Sequence, residues 1–278
     1  MTRAVAALQI LLLGIIQATC FAQEPAVATA KAYGDPLRFE KAIENFEIGD
    51  LEQPPPQNAI VCIGSSSMRM WHSKIEDDLA PLTIIARGFG GSNMNDALHY
   101  ADRIVIPYKP RAVVIYEGDN DVAQGIAPEI IVGKFHALVG KIHRHLPEAR
   151  IYFLAIKPSI RRWKLWPKMM KANDLIAEAC AKDKQLTFVD VASGMLDATG
   201  RPRKDIFYKD NLHMIRSGYI IWRDALKPVL IKAEFHSSDQ RCRHIRRLTR
   251  CCTPVVVASY EHRLWPKQEV PLKAEGPV

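Results

Sequence analysis

Ala59-Ile60-Val61-Cys62-Ile63-Gly64-Ser65-Ser66-Ser67-Met68-Arg69 is the stretch that decides how this 278-residue chain folds. Five apolar residues run without a polar break and stop at a glycine. A short unbroken run of this kind is what a strand covered on both faces looks like. The same pattern recurs at residues 82–86 just before Gly88, 112–116 before Gly118, 151–155 and 186–191. Helical segments lie between the runs. The clearest spans residues 128–145, where Ile131, Phe135, Leu138, Val139, Ile142 and then Leu146 step by three and four and mark one buried stripe. Met169, Asn173, Ile176, Ala177 and Cys180 mark another, and Ile220, Ile221, Leu226, Val229 and Leu230 suit a closing helix. Alternation of this sort predicts an α/β fold in three layers, with a five-stranded parallel sheet between helices.

The ends read differently. Arg3 followed by an apolar run to Ile16, interrupted by Gln9, and by small residues from Ala18 to Ala22 reads as an export signal cleaved after Ala22. The run is short for a membrane span. Cys20 raises lipoprotein anchoring as the alternative, although Gln17 stands where a lipobox takes an aliphatic residue. Residues 24–35 read as a linker. Leu37, Phe39, Ile43 and Phe46 have helical spacing, and Pro54-Pro55-Pro56 ends that helix. The expected organisation is a signal peptide (1–22), a linker and helix (23–58), a folded domain (59–234) and a basic tail (235–278) read as poorly ordered.

With 48% apolar residues the chain is not a mostly disordered one. Its formal charge is +8, but the tail from Phe235 holds eight Lys/Arg against four Asp/Glu, a local +4. Half the net charge therefore sits outside the domain, and no nucleic-acid partner is expected. The tail could instead make weak contact with an anionic lipid or polysaccharide surface. Cys62 and Cys180 fall in apolar patterns and read as core residues, while Cys242, Cys251 and Cys252 cluster in the tail. No cysteine or histidine spacing suits zinc.

Four turns carry chemistry. The run Ser65-Ser66-Ser67 stands at a strand-to-helix junction, where backbone N–H groups point outward and can meet a developing oxyanion. It is also a plain helix cap. Arg87-Gly88-Phe89-Gly90-Gly91-Ser92-Asn93 lets the backbone approach a ligand, or is an ordinary loop. Glu117-Gly118-Asp119-Asn120-Asp121 offers a side-chain amide to negative charge, or is a turn. Its carboxylates lack the matching acidic set that a metal would need, so neither metal nor cofactor is expected. Asp210-Asn211-Leu212-His213 spaces a carboxylate and an imidazole so that one can orient the other. In a sheet ordered 2-1-3-4-5, these turns would all open on the switch point between strands 1 and 3.

In order and spacing the four turns resemble the blocks of the SGNH/GDSL hydrolases, over about residues 59–232. The resemblance implies a flavodoxin-like fold with sheet order 2-1-3-4-5. It makes Ser66 the nucleophile, His213 its base and Asp210 the partner of that base. It makes an oxyanion hole of the Ser66 N–H, the Gly91 N–H and the Asn120 amide. Ser65 stands where the usual G-D-S pattern has aspartate, which leaves open which serine of the run attacks. The implied activity is serine ester hydrolysis through an acyl-enzyme, on short-chain or acetyl esters of carbohydrates or small alcohols. A lysophospholipase- or thioesterase-type acylhydrolase is the alternative, as is a non-catalytic carbohydrate- or lipid-binding module. Trp163 and Trp166, among the cations of the segment 157–167, could hold a sugar or an anionic head group, or simply anchor a surface loop.

Overall fold

The computed structural model describes residues 31–235. The apolar runs become β1 (Ile60–Gly64), β2 (Ile84–Gly88), β3 (Ala112–Tyr116), β4 (Arg150–Leu154) and β5 (Leu186–Val189). They form one parallel sheet in the expected order β2-β1-β3-β4-β5. Every residue of β1 and β3 is buried. Ile60 pairs with Ile84 and Ala112, and Gly64 pairs with Gly88 and Tyr116. The carboxyl ends of β2, β1 and β3 are therefore level, and the turns that follow them open at one height.

Seven α-helices lie among the described residues: α1 (Glu40–Glu52), α2 (Ser66–Leu79), α3 (Met94–Ile104), α4 (Asp119–Ala123), α5 (Pro128–His145), α6 (Trp166–Ala181) and α7 (Arg216–Leu230). α3, α5 and α6 pack side by side on one face, and α2 packs with α7 on the other. α5 has the bounds that its apolar stripe predicts. β2 starts two residues later than its apolar run, because the Leu82 N–H turns back to the Leu79 carbonyl (3.1 Å) and closes the end of α2. α3 is not singled out by periodicity, but it carries a capping box. The Asn93 side chain accepts from the Asp96 N–H, and the Asp96 carboxylate accepts from the Asn93 N–H, each at 3.0 Å.

The N-terminal helix belongs to the packed body. Ile43 is buried, and Arg103 of α3 reaches both Glu40 (2.5 Å) and Glu47 (2.6 and 2.7 Å). The segment read as linker is already fixed at Tyr33, whose hydroxyl donates to Asp121 at 2.7 Å. Cys62 and Cys180 are buried and free. Burial pushes both thiols up, Cys180 to about 11. The segment read as an export signal, with Cys20, and the tail from 236 with Cys242, Cys251 and Cys252, lie outside the described residues.

At the other end, Glu234 is wholly buried beyond α7. It accepts from Arg150 at 2.6 and 2.7 Å and from the Tyr152 hydroxyl at 2.6 Å. One carboxylate thus ties the chain's return to β4. Arg111 Nε also lies 3.4 Å from Glu234. Glu234→Ala removes the carboxylate that these partners share, and breaking such a pair costs on the order of 3 kcal/mol. For a domain of this size that is a fall in Tm of roughly 6–12 °C. Thermal unfolding checks it; a melting point equal to wild type would show that Glu234 contributes nothing.

Candidate active site

The turn after β1 is sterically set. Gly64 has φ +151°, and a Cβ there would lie 2.4 Å from the Tyr116 carbonyl oxygen of β3. Only glycine lets the two strands stay this close while the chain turns into α2. Ser65 caps the helix in an extended conformation and Ser66 is its first residue. The Ser66 N–H is then one of the helix's unpaired initial donors, in the positive field of the helix terminus. Ser65 and Ser67 are buried, and the Ser67 carbonyl accepts from the Tyr219 hydroxyl at 2.9 Å. Of the three serines, only Ser66 is half open.

The fourth turn meets it. His213 Nε2 lies 2.9 Å from Ser66 Oγ, and His213 Nδ1 lies 2.6 Å from Asp210 Oδ2. The other Asp210 oxygen accepts from the backbone N–H groups of Leu212 (2.9 Å) and His213 (3.0 Å). Burial pushes the Asp210 carboxyl up, but these N–H donors and the His213 ring outweigh it and hold it down to about 2. A permanent carboxylate therefore faces Nδ1 and places the ring proton there. Nε2 is left as the lone pair that can take a proton from the serine.

The loop and the helix are also braced together. Arg216, at the start of α7, grips Asp78 at the end of α2 with both terminal nitrogens at 2.5 Å. Asp78 accepts the Trp71 indole N–H as well, at 2.7 Å. The aromatic rings of Trp71, Tyr219 and Trp222 pack behind this bridge, 5.7–6.0 Å between centroids. The serine-bearing helix and the histidine loop are thus parts of one rigid corner.

Gly91 lies on the loop after β2, the strand next to β1 in the sheet. Its φ is +91°, and a Cβ there would find only Phe39, 3.9 Å away. The backbone is strained for any other residue, and the glycine stands exposed. Asn120, on α4, donates from Nδ2 to the Ser92 carbonyl at 2.8 Å, which joins the turn after β3 to the Gly91 loop. The structure therefore brings Ser66, Asp210, His213, Gly91 and Asn120 to one sheet edge. Such a set can attack a carbonyl carbon and meet the charge that forms on its oxygen.

The acidic turn is divided among separate tasks. Ser92 Oγ donates to the buried Glu117 (2.5 Å), and burial pushes the Glu117 carboxyl well above its ordinary range, toward the neutral acid. Asp121 accepts from Tyr33, the Met94 N–H and the Gly118 N–H. Asp119 faces two cations. Among the described residues no group of three side chains is arranged to hold a metal ion.

Residues 59–221 match the GDSL-like lipase/acylhydrolase family. The chain belongs to that family. It is an ester-hydrolysing enzyme. No curated protein matches the sequence. Its fold is similar to that of a Streptococcus pneumonia protein named for platelet activating factor, at 21% identity and a TM-score of 0.61, over 70% of this chain and 94% of that one. It is also similar to a GDSL-like lipase of Bacteroides thetaiotaomicron, at 21% identity and a TM-score of 0.59, over 69% and 98%. An acetylxylan esterase of Geobacillus stearothermophilus aligns at 14% identity and a TM-score of 0.51, over 62% and 93%.

In this family member, two residues of the site region lie in the segment that the sequence suggested as a sugar- or head-group-binding loop, or a surface one. Lys157 is wholly buried, and its ammonium donates to the Leu212 carbonyl (2.9 Å) and to Asp119 (3.3 Å). Arg162 donates to Asp119 (2.7 Å) and to the Asn120 side-chain oxygen Oδ1 (3.0 Å). Nothing in a K-P-S-I-R-R run distinguishes a buried cation from an exposed one. Trp166 is itself largely buried, stacked on Trp163 at 6.0 Å, and the Arg201 guanidinium lies 5.2 Å from the Trp163 ring centre. Trp163 is the half-exposed member of the pair.

Proposed function

We propose that this enzyme hydrolyses short-chain carboxylic esters, above all acetyl esters of carbohydrates or small alcohols, through an acyl-enzyme on Ser66. The observation that carries the reading is the unbroken line Ser66 Oγ–His213–Asp210, at 2.9 and 2.6 Å. Ser66 Oγ attacks the acyl carbon as its proton passes to His213 Nε2. The carbonyl oxygen, now negative, is met by the Ser66 and Gly91 N–H groups and by the Asn120 amide. The C–O bond breaks, and His213 returns the proton to the leaving alcohol. Water then repeats the sequence on the acyl-enzyme, giving the acid and free Ser66. The acetyl preference draws on the fold's likeness to an acetylxylan esterase. The half-exposed Trp163, with Arg201 beside it, offers a sugar one aromatic and cationic edge. On the same reading the enzyme is exported, periplasmic or secreted, and its basic tail touches an anionic surface.

A panel of p-nitrophenyl esters from acetate to laurate, with acetylated xylan, lysophosphatidylcholine and an acyl thioester, tests this. The highest kcat/KM is expected on acetyl esters, falling as the acyl chain lengthens. A maximum on long acyl chains, lysophospholipid or thioester would replace the reading with a lipid or thioester acylhydrolase. Sugar or lipid bound with no turnover of any ester would make the chain a binding module.

A further inference from the structure

We propose that Arg162, backed by the buried pair Asp119–Lys157, is a positioning residue that holds the Asn120 amide with its N–H groups toward the oxyanion. The inference rests on the reading of Asn120 as an oxyanion donor. An asparagine side chain has two nearly equivalent orientations about its last torsion. With the nitrogen inward it offers hydrogens to negative charge; reversed, it offers a carbonyl oxygen and repels it. The orientation is set here from both ends. Arg162 donates to Oδ1 at 3.0 Å, and Nδ2 donates to the Ser92 carbonyl at 2.8 Å. The amide nitrogen carries two hydrogens, so one remains for a ligand.

The guanidinium is itself fixed. Its other terminal nitrogen donates to Asp119 at 2.7 Å, and Asp119 is held in turn by Lys157 at 3.3 Å. The Asp119 side chain is 6% exposed and that of Lys157 not at all. Burial pushes the Asp119 carboxyl up, but Lys157 and Arg162 outweigh it and keep it below its ordinary range. Two cations on one carboxylate leave a net positive charge directly behind the amide. That charge polarises the amide and strengthens its N–H groups as donors. Lys157 also holds the Leu212 carbonyl at 2.9 Å, and the Arg161 N–H holds the Asn211 carbonyl at 2.9 Å. The segment after β4 thereby clamps the histidine loop and aims the amide at once. A solvated patch would not bury a lysine whole, since leaving water is costly for a charge that gains no task.

A double-mutant cycle in the full chain tests this. Arg162→Met, Asn120→Ala and the double variant are compared on a soluble acetate ester, with thermal unfolding alongside. Asn120→Ala is expected to lower kcat about a hundredfold. Arg162→Met is expected to lower it roughly tenfold or more with KM nearly unchanged, and to add nothing once Asn120 is alanine. Binding of a boronic acid, which forms a tetrahedral anionic adduct on serine, should weaken in the same pattern. Arg162→Lys keeps the charge but not the fork and should still fall short of wild type, since lysine cannot span Asp119 and Asn120 as a guanidinium does. It stands in if the methionine variant does not fold. Equal losses with and without Asn120 would overturn the inference, as would a raised KM with kcat intact, which would make Arg162 a substrate contact. A wild-type kcat for Asn120→Ala would remove Asn120 from the oxyanion hole, and this inference with it.

Discussion

Ser66→Ala is expected to lower kcat on a soluble acetate ester by on the order of a thousandfold or more, with the fold intact. The lost atom is the one that lies 2.9 Å from His213 Nε2, and no neighbouring hydroxyl can replace it. Ser65 is buried as the cap of α2, and Ser67 is buried on the helix's inner side. Neither is within hydrogen-bond reach of the imidazole. The stability change should be small, because the variant gives up one partly exposed hydrogen bond, worth about 1 kcal/mol. Ser65→Ala should accordingly leave turnover close to wild type. The check is kcat and KM for both variants with circular dichroism as the fold control. Loss of turnover in Ser65→Ala, with Ser66→Ala active, would move the nucleophile back by one residue.

Which serine faces the base was open in the sequence for a physical reason. G-S-S-S fixes that a helix starts, but not at which residue, and one residue turns the side chain by about a hundred degrees. Gly64 settles it, since its close approach to Tyr116 fixes where the strand ends. The five strands were legible because a buried parallel strand is apolar at nearly every position, as in β1 and β3. The sheet order was not in that pattern; it came with the resemblance of the four turns. Asp210 and His213 were legible through their spacing of three, which lets one carboxylate hold both the ring and its own backbone. Lys157 and Arg162 were not legible. Their roles depend on Asp119, 38 and 43 residues away, and on a histidine loop further still. Local composition places cations on a surface, and only the tertiary fold buries one of them. Trp166 was ambiguous for the same reason, because its burial is decided by Trp163 and the packing of α6.

Asp210→Asn is expected to cost kcat about as much as loss of the Ser66 hydroxyl, on the order of a thousandfold or more, although it changes one atom. The backbone makes the argument. The N–H groups of Leu212 and His213 both point at Oδ1, at 2.9 and 3.0 Å, and neither can turn away. In the asparagine variant the carbonyl oxygen must therefore stay at that end. The NH2 group then falls where Oδ2 stood, 2.6 Å from His213 Nδ1. Two donors cannot share that contact, so Nδ1 becomes the acceptor and the ring proton moves to Nε2. There it points at Ser66 Oγ and blocks the lone pair that must accept the serine's proton. The serine is present, the imidazole is present, and the tautomer is wrong. Acidification cannot mimic this in the wild type, because the carboxyl is held down to about 2 and stays ionised well below neutral pH. Asp210→Ala removes the carboxylate without imposing a tautomer and should cost less than the asparagine variant. Nitrogen-15 shifts of His213 should report the proton on Nδ1 in the wild type and on Nε2 in Asp210→Asn. An asparagine variant with near-wild-type kcat, or with the proton still on Nδ1, would mean that Asp210 does not orient the base.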